Sequence, residues 1–353
     1  MWIIFIIDCL LQNIKTLKYD NGKINVTFFQ RKPRRVGNYS VEFIFDDVRY
    51  RLKNIISART VISRYESNGL FKRLYNCIQA AFSQNTVNHV TGDVNYLGIF
   101  LTRNKTIHTI LDCVFMTSTS GFKKRVIKYF WLTIPVRRSK YITAISEATK
   151  NEIIKYSGCK PEKVKVIHVA ISDRFKKRDK IFNKEKPVIL QIGAASNKNI
   201  SRLIKALKGL SCELHIIGKH IAEYENLLKE YDIDYKYEYG LTEDQMIEKY
   251  EHADIISLIS TYEGFGMPIL EAQSVGRAVI TSNISSMPEV AGGAACLVDP
   301  YNIQQITDGL TMIIQNDEYR GDLIQKGYKN VQRFKAQDIA IKYYDLYKEV
   351  AEN

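Results

Sequence analysis

Short apolar runs alternate along the chain with stretches whose apolar positions recur every three or four residues, the pattern of parallel sheets covered by helices on both faces. In the first half, strands are predicted at 24–29, 55–63, 87–90, 106–110, 141–144 and 165–169. Val41, Ile44, Phe45, Val48 and Leu52 fall on one helical face, and Ser146 is a plausible N-cap for a helix that follows it. Residues 173–186 are rich in charge and lack periodicity, which marks a solvated linker. A second alternation follows, with strands at 188–192, 213–217, 235–239 and 255–259 and helices at 199–208, 221–230 and 243–250. Three helical stretches occupy the last 50 residues, ending in 339–350, and no repeat of fixed period is present. The expected class is α/β: two doubly wound Rossmann-like domains facing across a cleft. Residues 1–172 form the first, 187–335 the second, and a C-terminal helix at 336–353 is a candidate to cross back to the first.

The length of 353 residues agrees with two domains at roughly 100–200 residues each. With 45% apolar and 25% charged residues, the chain is neither fibrous nor disordered. The apolar stretch 2–11, interrupted by Asp8, is about half of what a helix needs to cross a bilayer, and it lacks the basic start and small-residue cleavage site of a signal peptide. It reads as a peripheral extension. Six scattered cysteines form no C-x-x-C pair, so neither a disulfide framework nor a structural metal site is signalled and a reducing cytoplasm is the simplest home. Net charge is +13 but unevenly spread: residues 1–172 hold 28 basic against 11 acidic residues, and 173–353 hold 23 against 27. The basic half is expected to meet something anionic. The segment 122–140 concentrates this, with seven basic residues and no acid around Phe130, Trp131 and Leu132. It suits an anionic membrane surface, or else an amphipathic helix packed in the first domain with its basic face in water.

In doubly wound sheets ligands bind beyond the carboxyl ends of the strands. After the strand at 255–259 comes Glu263-Gly264-Phe265-Gly266-Met267-Pro268, then Glu271. Pro268 suits a first helical position, so a helix begins at about Gly266. Its free N–H groups, approached closely because Gly264 and Gly266 carry no side chain, could receive a diphosphate. Glu263 and Glu271 bracket the turn, and a carboxylate accepts two hydrogen bonds at a geometry suited to vicinal hydroxyls. The plainer alternatives are a solvated strand-end acid and a carboxylate that complements the helix dipole.

The spacing Glu263-x7-Glu271 around Gly-Phe-Gly-Met-Pro closely resembles the signature of retaining glycosyltransferases of the GT-B fold, family 4 (glycosyl transferases group 1). The resemblance spans about residues 36–350. It is densest over 187–335, through Ile192-Gly193, Lys198-Asn199, Ile216-Ile217-Gly218, Tyr262 to Gly266, Pro288 to Gly292 and Arg333-Phe334. It implies that Glu271 binds the nucleotide ribose, that Glu263 faces the donor sugar, and that the backbone of Gly264, Phe265, Gly266 and Met267 meets sugar and phosphate. It further implies that Lys198 neutralises the leaving diphosphate, although the Arg usual after the glycine of the first strand is replaced by Ala194 and Ala195. His108, expected at a strand end facing the cleft, is similar to the family's donor-contacting His. The loop with Gly37 is similar to the one after the family's first strand, with Gly-Gly reduced to Gly37-Asn38. His89 and Asp93 are candidates for the acceptor side.

The resulting expectation is a retaining transfer from a UDP- or GDP-linked sugar to a glycan or lipid-linked acceptor in polysaccharide biosynthesis, at the inner face of the plasma membrane. No cofactor is expected beyond the nucleotide sugar, and no metal. Alternatives are a catalytically silent nucleotide-sugar-binding relative and a basic nucleic-acid-binding protein; no nucleic acid is expected, because no recognised binding motif accompanies the charge. A dehydrogenase would need a three-glycine dinucleotide pattern that neither glycine cluster supplies.

Overall fold

The computed structural model describes residues 19–20, 22–32, 40–116 and 119–352. The 2–11 stretch and the loop holding Gly37 lie outside the described residues. Two sheets carry the chain. The first contains β1 (Tyr19–Asp20), β2 (Lys23–Gln30), β3 (Ile56–Ile62), β4 (Val87–Thr91), β5 (Thr106–Ile110), β6 (Tyr141–Ala144) and β7 (Val164–Val166). Its parallel part runs β3-β2-β4-β5-β6-β7, with β1 antiparallel against the start of β2. The second, entirely parallel, contains β8 (Val188–Ile192), β9 (Glu213–Ile217), β10 (Asp234–Glu238), β11 (Ile255–Leu258), β12 (Ala278–Ser282) and β13 (Cys296–Val298), in the order β10-β9-β8-β11-β12-β13. The α/β class with two doubly wound sheets therefore holds. Strands β12 and β13 escape the periodicity analysis, as does the helix Leu70–Ala81.

Covered on both faces, the central strands have no polar edge to show, which is why they read as continuous apolar runs. On the second sheet, helix Ile200–Leu207 presses Ile200, Leu203, Ile204 and Leu207 onto one face, while helix Met267–Val275 presses Ile269 and Leu270 onto the other. The segment 173–186 has no regular structure but is not a free linker. Its cations are pinned to the second domain: Arg174 to Glu243 and Asp244, Arg178 to Glu251, and Lys180 to the fully buried carboxylate of Asp254 at 2.5 Å. Phe182 lies beneath the Arg320 guanidinium, 3.8 Å from its ring centroid.

The chain ends by returning. Helix Ala336–Glu352 lays Ile339, Tyr343, Leu346, Tyr347 and Val350 on the first sheet, against Val26, Phe28, Phe45 and Ile107. His89, a candidate for the acceptor side, is spent here instead. Its fully buried ring makes 2.8 Å hydrogen bonds to Tyr347 Oη and Thr109 Oγ1, and burial pushes its pKa down to about 3, so it stays a neutral core residue. Replacing Tyr347 by Ala removes a buried ring and the partner of His89. We expect a loss of about 3–5 kcal/mol, read as a lower urea midpoint for amides of the first sheet in hydrogen exchange, with the second sheet unshifted. An unchanged midpoint would show that the helix contributes nothing to the first domain's core.

Candidate active site

The site is built on the turn after β11. Gly266 adopts a φ of 108°, a conformation costly for any side chain, and caps the helix Met267–Val275 with Pro268 in its first turn. The backbone N–H groups of Gly264, Phe265, Gly266 and Met267 have no acceptor among the described residues. The carbonyls of the turn are all engaged, which orients the peptide planes: Ser285 Oγ donates to Glu263 O at 2.6 Å, Ser286 Oγ lies 2.7 Å from Phe265 O, and Ser146 Oγ donates to Gly264 O at 2.9 Å. Donors left free at a helix start form a receptor for an anion.

Glu263 meets the Lys198 ammonium at 2.6 Å and accepts a second 2.6 Å bond from Ser260 Oγ, with both charged side chains largely buried. Lys198 ends a short 3-10 turn, Ser196–Lys198, beyond the carboxyl end of β8, and the neighbouring Asn197 ties to Tyr262 O at 3.0 Å. Two strand ends thus deliver one ion pair beside the free N–H groups. Glu271, one helical turn deeper, accepts a hydrogen bond from Tyr250. Burial pushes its carboxyl up to about 7, against the opposing effects of the Tyr250 bond and the Lys198 charge.

Phe265 sits differently from its neighbours. Its side chain is buried, with ring centroids 5.8 Å from Phe334 and 6.0 Å from His168, so only its backbone can meet a ligand. Gly264 is where the two domains touch. A Cβ there would lie 2.4 Å from Leu111 O and 3.1 Å from Asp112 Cβ, so no larger residue fits without parting the domains. Around that contact, Tyr262 donates to Glu152 at 2.7 Å and accepts from Cys113 N–H at 3.0 Å. Glu289 of the second domain accepts the N–H of Glu147 at 2.9 Å and a 2.8 Å bond from His168 Nε2. Burial alone would raise the Glu289 carboxyl, but these bonds outweigh it and hold it below the usual range.

His108 does not reach the cleft. It is the third residue of the five-residue β5, not its end, and its ring is fully buried. Nδ1 lies 2.5 Å from Ser139 Oγ and Nε2 3.2 Å from Asn95 O, and burial pushes the pKa down to about 3. The residues that come to the cleft at the end of this strand are Leu111 and Asp112, the latter with its carboxyl raised first by burial and then by the neighbouring charges of Asp93 and Glu263. Counting two residues past the end of the strand would have found them. Asp93 is paired with Arg31 at 2.6 Å. No sequence signal announced Glu152 or His168, and Tyr262 stood out only as part of the resembling segment, because the roles of all three depend on how the domains meet. Among the described residues, no cluster of three or more His, Cys, Asp or Glu is disposed to hold a metal ion.

Because the folded-state pKa of Glu271 lies above its unfolded value, its protonated form stabilises the ligand-free fold, and that contribution fades as pH rises through about 7. Wild type should therefore lose stability relative to Glu271→Gln between about pH 5 and 7, by at most about 1.4 kcal/mol per pH unit. Parallel stability curves for the two proteins would refute the raised pKa.

Residues 172–330 match the family model of glycosyl transferases group 1. O-antigen chain mannosyltransferase B of Escherichia coli is 36% identical over 89 residues, covering 25% of this chain and 23% of that protein. O-antigen chain mannosyltransferase RfbU of Salmonella typhimurium is 29% identical over 234 residues, 60% of this chain and 64% of its own length. The chain spans about a quarter of the length of the first curated relatives it matches. A glycosyltransferase structure from Rickettsia africae superposes over 93% of this chain and 99% of its own with a TM-score of 0.74 at 18% identity. The structure of Anabaena HepE with UDP and glucose superposes over 92% and 99% with a TM-score of 0.72 at 14% identity. The chain has the GT-B fold of these glycosyltransferase structures, and over residues 172–330 its second domain is similar to the glycosyl transferases group 1 family.

Proposed function

We propose that the chain is a retaining glycosyltransferase of family 4, moving a sugar from a UDP- or GDP-linked donor to a glycan or lipid-linked acceptor without a metal or other cofactor. The observation that carries this is the Lys198–Glu263 pair set beside four unpartnered N–H groups, with Glu271 on the same helix. Cleavage of an anomeric bond leaves a diphosphate and an oxocarbenium-like carbon, and the helix N-terminus supplies fixed donors to the first. Lys198 is the cation that follows the departing charge, and in turning to the phosphate it releases Glu263 to accept sugar hydroxyls. Glu271 takes the ribose hydroxyls. A same-face route, in which the acceptor attacks on the side the diphosphate leaves, needs no covalent nucleophile. With His108 locked in the core, this chemistry falls to Lys198 and the turn. The mannosyltransferases among the relatives make GDP-mannose the first donor to try. The setting is polysaccharide biosynthesis in the cytoplasm, with the basic first domain peripheral on the inner face of the plasma membrane.

Thermal shift against UDP, GDP and their sugars, followed by turnover with a donor panel, tests the reading; a ligand at 100 times its dissociation constant adds about 2.7 kcal/mol. A protein that binds no nucleotide refutes it, and one that binds without turnover is the catalytically silent relative. Glu271→Ala should weaken nucleotide binding, whereas Glu263→Ala and Lys198→Ala should lower turnover, the latter by about two orders of magnitude. Unchanged binding in Glu271→Ala, or unchanged kcat in Lys198→Ala, would remove the corresponding role.

A further inference from the structure

Helix Leu70–Ala81 turns its apolar side outward. Asn76, Cys77, Ala80 and Ala81 are its buried residues, and Asn76 anchors it through bonds to Tyr65 O at 2.9 Å and Tyr96 Oη at 3.1 Å. Leu70, Phe71, Leu74, Tyr75, Ile78 and the following Phe82 are all exposed, Phe71 at 85% and Leu70 at 73%. At about 100° per residue these six positions cover a single continuous arc of about 140°. One exposed Leu needs no explanation, but a stripe of six on one helix does.

A second element of the first domain also exposes apolar side chains. Helix Gly121–Lys128 and the π turn after it expose Phe122, Val126 and Tyr129, spaced by four and three, while its buried set is empty. Between them stand Lys123, Lys124, Arg125 and Lys128, none in an ion pair among the described residues. The Arg73 guanidinium of the first helix lies 4.9 Å over the ring of Trp131, so the two segments adjoin. A groove of about 560 Å³ is lined by Met116, Phe122, Lys124, Arg125 and Lys128. Residues 67–92 and 113–146 contain no Asp or Glu at all. Apolar side chains interleaved with cations and with no acid nearby complement an anionic lipid surface. A 12-residue helix is too short to span a bilayer, and no described helix is long and apolar enough to do so.

We propose that helix Leu70–Ala81 is a membrane-inserting element. Its apolar stripe lies in the headgroup region of a leaflet containing anionic lipids, with the cations of Gly121–Lys128 resting on the phosphates beside it. This rests on the reading that the first domain works at a membrane, and it deepens that reading by naming the segment that enters the bilayer. Insertion and electrostatic attraction are separable, because salt screens only the second.

The test is cosedimentation of the full chain with phosphatidylcholine vesicles containing phosphatidylglycerol, with no donor present, so that it reports independently of turnover. Wild type should bind at low salt and retain part of that binding at about 0.5 M salt, where screening lengths fall to a few ångströms. Replacing Leu70, Phe71 and Leu74 together by Ser should abolish the salt-resistant part and weaken binding at least tenfold. Replacing Lys123, Lys124 and Arg125 by Ser should remove mainly the salt-sensitive part. As a second readout, Phe71→Trp should give a blue-shifted emission on adding vesicles, beyond any change in wild type. Serine at exposed positions relieves apolar exposure, so folding is checked by an unchanged melting temperature. Vesicle binding unaffected by the Leu70, Phe71 and Leu74 changes, or an unshifted emission from the Phe71→Trp variant, overturns the proposal. So does a stripe-dependent dimer in sedimentation equilibrium that ignores vesicles, which would make a second copy the occupant.

Discussion

The contact on which the site depends is the approach of Gly264 to the carbonyl of Leu111. It brings the end of β5 in one domain against the turn after β11 in the other, at a separation only a residue without Cβ permits. Ser146 and Thr149, at the start of helix Glu147–Ser157, fasten the same glycine by donating to its carbonyl. Once Gly264 is held there, the peptide N–H groups of the turn stay without an acceptor among the described residues, and the Lys198–Glu263 pair is set beside them. Tyr262 with Glu152, and Glu289 with His168 and the backbone N–H of Glu147, brace the contact on either side. These braces are hydrogen bonds to carboxylates, which are stronger than those between neutral groups.

The two carboxylates of the site are treated oppositely by their surroundings. Glu263 is neutralised by an ammonium at 2.6 Å and a hydroxyl, while Glu271 has a phenol for its direct partner and is carried toward neutrality by burial. A ligand with phosphate and hydroxyl groups would meet one carboxylate already paired with a cation and one carboxyl that burial carries toward its neutral form. The basic first domain and the acidic second domain divide the remaining labour, one turning cations and apolar side chains outward and the other spending its acids on holding the 173–186 segment in place.

The fold was legible in the sequence because buried parallel strands are apolar throughout and their covering helices have one apolar face, so that burial and periodicity carry the same information. The turn 263–267 and the carboxylates flanking it were legible too, since glycine and proline at a helix start have few other uses. His108 was misread for want of one fact, where β5 ends. A histidine at a strand's centre and one at its end look alike in sequence, yet the first is enclosed on both faces of the sheet and the second meets the cleft. His89 was misplaced in the same way, because its partner Tyr347 lies 258 positions along the chain.

What the sequence by itself determined is therefore local: strands, helices, the glycine-rich turn, the charge of each half. The tertiary structure decided everything that depends on pairs distant in the chain. It showed which strand-end residues meet across the cleft, that Glu263 is paired with Lys198, and that the last helix closes the first domain. It also showed that the apolar side of Leu70–Ala81 is left outside. Periodicity records that a helix has an apolar face but not what covers it, because covering is a property of neighbours brought together only when the chain folds.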